Sequence, residues 1–140
     1  MTKKPVPLTE ASLLAMSADD YMNEAQLSYF QQLLIAQRQA LQNNVSETVA
    51  HLQEGEAEAD PNDRASAEEE HAIELRIRDR ERKLLARVNS ALKRIEAGEY
   101  GYCEESGEPI GLRRLLARPT ASLSIEAQER REFRQRMERD

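Results

Sequence analysis

The sequence predicts a mainly α-helical molecule: a long antiparallel coiled-coil hairpin, a small globular knot and a C-terminal helix. Three observations carry this expectation. Of 140 residues a third are charged, only 4% are aromatic and none is Trp, a profile that suits long solvated helices better than a bulky core. Apolar residues recur at spacings of three, four or seven through two long stretches, as one face of a helix requires. The five Gly and five Pro cluster where those stretches end, so the blocks between them read as continuous elements.

Taken in order, residues 1–20 mix Pro, Thr, Ser and Asp and read as a loosely held N-terminal arm. Asn23 followed by Gln26 fits a capping box, with the Asn side chain on orphan amides and Gln26 reaching back. The seam that follows runs through Leu27, Phe30, Leu34, Leu41, Val45, Thr48 and Leu52, weakened at Gln37. Gly55 to Arg64 is the only turn signal before Gly98. Within it, Asp60 can cap and Pro61 suits a first helical position, where its missing N–H costs nothing. The second seam is read through His71, Leu75, Arg78, Arg82, Leu85, Val88, Leu92 and Ile95, with a stop at Ala97-Gly98. Two helices of similar length and a short turn must run antiparallel, so residues 21–98 form a hairpin with its tip near 55–65. At about 1.5 Å per residue each arm spans roughly 45–55 Å. Residues 99–124 alternate turn punctuation with Tyr100, Tyr102, Ile110, Leu115 and Leu123 and form the knot, with a short helix at 111–117. Ser124 can cap a last helix in 125–140, with Ile125, Phe133 and Met137 on one face and Arg130, Arg131, Arg134 and Arg136 on the other.

Charge is segregated along the hairpin. From Glu54 to Glu74 nine acids face Arg64 alone, a net of −8; from Leu75 to Ala97 eight bases outnumber Asp79, Glu81 and Glu96, a net of +5. The overall −6 argues against direct DNA binding, which needs a basic surface. One Cys cannot form an intramolecular disulfide. No apolar run of about 18 residues is present to span a bilayer, and Pro5, Pro7 and Glu10 interrupt any signal-peptide core. The expectation is a cytoplasmic protein and a monomer.

No catalytic set presents itself. His51 and His71 are isolated in helical stretches, Ser106, Ser122 and Ser124 lack a nucleophile-elbow setting, and no Gly-rich phosphate loop occurs. The carboxylates lack an apolar pocket to tune them, so the chain is not expected to be an enzyme. The group of interest is Asp60-Pro61-Asn62-Asp63-Arg64-Ala65 at the hairpin turn. Helix capping alone explains both aspartates. Two carboxylates on a long rod can also reach a cation-rich or Mg²⁺-containing site on a large partner.

From Tyr21 onward the chain resembles the DksA/TraR family of secondary-channel transcription factors. The resemblance rests on Tyr21-Met22-Asn23-Glu24-Ala25-Gln26-Leu27, the 60–65 tip, Leu75 with Arg76, and Arg78-Asp79-Arg80-Glu81-Arg82-Lys83-Leu84. It continues in Gly101-Tyr102-Cys103, Ile110, Arg113-Arg114-Leu115 and Ala117-Arg118-Pro119-Thr120. It implies a globular end docked on the secondary-channel rim of RNA polymerase, with a coiled coil whose acidic tip approaches the active-site region. Asp60 and Asp63 match the tip aspartates, Ala65 a neighbouring functional position, and Arg80 a polymerase-binding base. The family acts with ppGpp, held at the polymerase interface, in the stringent response to repress rRNA-type promoters. Leu84, Arg87 and Arg118 stand at the corresponding positions. Arg87 replaces the usual Lys, and Gln128 stands where the family often has Lys, with Arg114 or Arg131 as candidates to supply the lost charge.

The largest departure concerns metal. The family pattern holds four thiolates for a tetrahedral Zn²⁺; here the four positions read Cys103, Ser106, Ser124 and Ala127, so the resemblance makes the knot at 99–124 a degenerate zinc-finger-like region. One thiolate is not a structural zinc site, so no zinc is expected and Cys103 reads as a small buried residue. This is the pattern of a zinc-independent back-up member of the family. The alternatives are a transcript-cleavage or elongation accessory using the same channel, and a coiled-coil adaptor for another partner.

Overall fold

The computed structural model describes residues 8–57 and 64–139, and within them the side chains of 8–44 and 66–139. Five α-helices are present among the described residues: α1 (Glu10–Leu14), α2 (Glu24–Ala57), α3 (Arg64–Ala97), α4 (Leu112–Ala117) and α5 (Ile125–Arg139). No strand occurs among them, only one antiparallel bridge between Tyr102 and Pro109. The mainly helical architecture follows the sequence expectation. The helices α2 and α3, 34 residues each, extend about 50 Å apiece at the standard rise.

The chain divides into two compact units. One gathers Met1–Leu34 with Ser90–Asp140; the other is Ile35–Asn89.

In the first unit, residues 10–20, expected to lie loose, are folded. Thr9 and Ser12 cap α1 reciprocally, a 3-10 turn spans Ala18–Asp20, and Leu13 is fully buried. Asn23 caps α2 as expected, its Oδ1 accepting the Gln26 N–H at 3.0 Å. The return half of the box lands one residue early: Gln26 Oε1 accepts the Met22 N–H at 2.8 Å. The 3-10 turn explains the shift, because the Asp20 carbonyl already takes the Asn23 N–H and leaves Met22 as the amide in need of an acceptor. Gln26 is fully buried as a result.

Phe30 and Leu34 of α2 are fully buried, and the Phe30 ring tilts against Tyr100 at a centroid distance of 5.7 Å. Beyond α3, Gly98 at φ 74° supplies the left-handed stop that a Gly makes without strain. Arg94 ties this end to the knot, its Nη2 donating to the carbonyls of Glu99 at 3.2 Å and Tyr102 at 2.6 Å. Tyr100, Cys103, Ile110, Leu115, Leu123 and Ala127 form the core of the knot. The Tyr100 hydroxyl donates to the Pro119 carbonyl at 2.7 Å; burial first, then the nearby Tyr21 hydroxyl, pushes its pKa far above the usual phenol range.

In the second unit the proximal seam is apolar and the distal seam largely is not. Val88 is buried and Leu85 half-buried. Toward the hairpin turn the half-buried positions of α3 are Ala67, His71, Glu74, Asp79 and Glu81. Three expected seam residues are thereby corrected: Leu75, Arg78 and Arg82 are exposed. Asp79 aside, the realised spacing of 67, 71, 74, 81, 85 and 88 keeps a heptad register. The expectation follows bulk at Leu75 where the fold follows that register. On α2, Leu41 is half-buried; Val45, Thr48 and Leu52 have side chains outside the described set. The expected turn at 55–57 is instead the last part of α2, which continues through Gly55 to Ala57.

Candidate functional site

Of the tip residues, Asp60 and Asp63 lie outside the described residues; Ala65 stands in the first turn of α3. Three further candidates share one helix face. Arg80, Leu84 and Arg87 follow one another at spacings of four and three on α3, all exposed, as i, i+4, i+7 positions do. Around them the charges are sorted. Asp79 accepts from Arg82 Nη2 at 2.7 Å and pairs with Lys83 Nζ at 3.2 Å. The hydrogen bond and charge of Lys83, then those of Arg82, hold its carboxyl below the usual carboxylate range. Arg82 and Lys83 are therefore partly neutralised, whereas Arg80 and Arg87 pair with no acid among the described residues.

The remaining two candidates belong to the other unit. Arg118 is exposed at the C-terminal cap of α4, where its N–H donates to the Arg114 carbonyl. Gln128 on α5 is half-buried, with Nε2 donating to Glu132 Oε1 at 2.9 Å. The two cations that could have replaced a charge at 128 are already engaged. Arg114 Nε donates to the Leu123 carbonyl at 3.0 Å, and Arg131 pairs with Glu105 at 3.1 Å, a carboxylate that also meets Arg134 at 3.5 Å.

The positions that bind metal in a four-cysteine knuckle converge here without its ligands. Cys103 and Ser124 are 3% and 6% exposed and Ala127 is fully buried, while Ser106 is exposed. The turn that holds the first pair is backbone-built: the Cys103 N–H donates to the Glu108 carbonyl at 2.8 Å and the Gly107 N–H to the Cys103 carbonyl at 2.9 Å. Ser124 Oγ accepts the Ala127 N–H at 3.2 Å, capping α5 as its sequence position implies. Burial pushes the Cys103 thiol up, but hydrogen bonds from the side chains and backbones of Ser106 and Ser124 together outweigh it and bring the pKa to about 6. One sulfur, two hydroxyls and a methyl do not make a four-thiolate Zn²⁺ site, and among the described residues no three His, Cys, Asp or Glu side chains gather for a metal.

Two features went unread in the sequence. The Tyr21 hydroxyl donates to the Gly101 carbonyl at 2.6 Å and accepts from the Gly111 N–H, a contact no periodicity announces. The apolar residues Ile73, Ile77 and Leu84 are exposed on α3, at 53%, 46% and 37%; plotting them against the heptad register would have shown them to lie outside the seam.

Comparison with known proteins adds the following. A family model for the DnaK suppressor protein DksA, N-terminal domain, matches residues 26–95, and one for the prokaryotic dksA/traR C4-type zinc finger matches residues 98–133. The chain is 55% identical over 135 residues to the RNA polymerase-binding transcription factor DksA of Caulobacter vibrioides, covering 95% of each chain. It is 49% identical over 119 residues to the protein of the same name from Escherichia coli K12, covering 84% of this chain and 79% of that one. The solved structure of transcription factor DksA2 from Pseudomonas aeruginosa superposes with a TM-score of 0.85 at 49% identity, over 91% of this chain and 99% of that one.

Proposed function

The chain belongs to the DksA family, and from that premise we propose that it is an RNA polymerase-binding transcription regulator that inserts an acidic-tipped helical hairpin into the secondary channel. The observation that carries this reading is the 55% identity to an RNA polymerase-binding transcription factor over 95% of both chains. In this reading Asp60 and Asp63, with Ala65 beside them, act at the polymerase active-site region, and Arg80 anchors the hairpin. Its exposed guanidinium, without an acidic partner among the described residues, supports that role, since planar bidentate recognition of a carboxylate needs an uncommitted donor set. The protein acts in the cytoplasm as a non-enzymatic monomer and does not bind DNA directly, in keeping with the net charge of −6.

ppGpp binds at the polymerase interface in this reading, through Leu84, Arg87, Arg118 and Gln128. Arg87 and Arg118 are exposed and able to make charge-assisted contacts to phosphate. Gln128 brings no charge and is held by Glu132, so ppGpp acts more weakly than on a relative with Lys there. The chain also works without zinc. Its support is the donor set at 103, 106, 124 and 127, together with the burial of Cys103 and the backbone hydrogen bonds that build its turn. A factor of this kind serves as a back-up when zinc is scarce, since zinc-site folding is lost with the metal.

The test is in vitro transcription from a ribosomal RNA promoter with chelator present and ppGpp varied, comparing wild type with Asp60→Asn/Asp63→Asn. Repression that survives chelation and disappears in the double variant supports the reading; no repression by wild type rejects it. Added cleavage of nascent RNA in backtracked complexes would favour the accessory-factor alternative.

A further inference from the structure

Helix α5 is anchored to the knot through its first turn. Ala127 is fully buried and Gln128 half-buried, but every residue from 129 to 139 is exposed. That leaves about 16 Å of helix without a buried side chain, and a free helix of this length is marginal in water. Two contacts reach it. Arg131 and Arg134, three apart and so on one face, both donate from Nη2 to Glu105 Oε1, at 3.1 and 3.5 Å. Among the described residues no other hydrogen bond or ion pair joins residues 129–139 to the knot.

Glu105 stands in the turn between Cys103 and Ser106. The four positions of a C4-type knuckle fall on two elements, 103 and 106 on this turn and 124 and 127 at the start of α5. A metal held there would cross-link the two. Here one thiolate, two hydroxyls and a methyl occupy those positions, and Glu105 joins the same two elements. We propose that Glu105 is an ionic latch on α5: bridging Arg131 and Arg134, it serves as the cross-link that a metal would otherwise make and keeps residues 129–139 helical and docked. The inference rests on the metal-free reading given under Proposed function. Glu104, the neighbouring acid, pairs instead with Arg94 of α3 at 3.2 Å, so of these consecutive carboxylates Glu105 alone serves α5. The latch differs from a thiolate site in what releases it. A metal cross-link is lost to chelators. An ion pair between side chains exposed at 26%, 45% and 65% is weakened by salt.

The experiment measures amide hydrogen exchange in the full chain at about 20 mM and about 500 mM salt. It compares wild type, Glu105→Gln and the charge swap Glu105→Arg/Arg131→Glu/Arg134→Glu, with the zinc content of each protein read by elemental analysis. At low salt, exchange in residues 129–139 is expected to be about threefold faster in Glu105→Gln than in wild type, with residues 112–123 unchanged. High salt brings wild type to the rate of that variant. The swap restores slow exchange at low salt, which a merely steric role for Glu105 would not allow. Equal exchange in wild type and Glu105→Gln, in protein free of zinc, overturns the latch and leaves the metal-free reading standing. Stoichiometric zinc, with exchange in 129–139 that rises on chelation, overturns both. Acceleration spread evenly over 112–123 and 129–139 shows that Glu105 supports the whole knot, and a swap that restores nothing shows that charge does not hold α5; either overturns the latch.

Discussion

The Tyr21 hydroxyl accepts the Gly111 N–H at 2.9 Å across 90 positions of sequence, while donating to the Gly101 carbonyl at 2.6 Å. Its ring stands edge-on to Tyr102 at 5.6 Å. One phenol thus fixes both ends of the turn that carries Cys103. Burial is the larger influence on that phenol and raises its pKa, against the hydrogen bond from Gly111, which lowers it. Tyr21→Phe keeps the ring contact and strands two backbone groups. The expected cost is about 1–2 kcal/mol, read as a fall of roughly 3–8 °C in Tm. An unchanged melt would show that water replaces the hydroxyl without penalty.

Among the described glycines, Gly101 is the one where an added side chain has least room. Its φ is +89°, and an added Cβ would lie 2.7 Å from Met22 Cγ and Sδ. Gly101→Ala is expected to destabilise by about 1–3 kcal/mol through backbone strain and collision together. Met22→Ala/Gly101→Ala separates the two, relieving the collision and leaving the strain. Denaturant unfolding of both variants measures each part.

Glu81 keeps Oε2 buried without a hydrogen-bond partner in the seam of α3. A buried carboxylate oxygen left unpaired is a standing penalty, and an apolar residue at the same seam position removes it. Glu81→Leu is expected to stabilise the hairpin by about 1–2 kcal/mol, seen as slower amide exchange in α3 and a higher Tm. No gain would mean that the carboxylate reaches solvent through seam breathing.

Cys103 links pH to stability. Its folded pKa, about 6, lies below its usual value of 9.0, so the thiolate favours the fold. That contribution is fully present above the unfolded pKa and is lost as pH falls through about 6. The thiolate's ultraviolet absorbance should therefore titrate near 6 in the folded chain. Cys103→Ala should flatten the rise of stability between pH 6 and 9. A thiol titrating near 9 would mean that burial, not the serine hydroxyls, decides its charge.

Much of this fold is legible because the long elements are written in local terms. Helix lengths, the Asn23 cap, the Gly98 stop and the Ser124 cap all follow from residues within a turn of one another. The failures are of two kinds. Leu75 and, one heptad on, Arg82 are read one position past the register that Glu74 and Glu81 keep, and Arg78 stands in that register yet is exposed, in a helix that keeps polar residues inside and isoleucines outside. The arm at 10–20 reads as loose because its order comes from Leu13, buried by residues far along the chain, which short-range spacing cannot report. At the site, the face of Arg80, Leu84 and Arg87 is visible as a spacing, and the exposure of Ile73 and Ile77 follows once the register is known; the Tyr21 anchor is not visible, since it depends on residues about 80 and 90 positions away.

The unit that holds Cys103 is assembled from both sides of Ile35–Asn89, and this orders events during synthesis. The hairpin segment leaves the ribosome first, with its partners adjacent in sequence, and local contacts of that kind form fast. Phe30 and Tyr21 must wait for Tyr100 and Gly111. At ordinary translation rates, residues 90–140 take roughly 3–10 s to appear, long compared with helix formation. Through that interval Phe30 has no Tyr100 ring to pack against. The polar distal seam and dense surface charge of the hairpin keep the nascent chain dispersed while it waits, so the residues that weaken the finished hairpin protect the unfinished one.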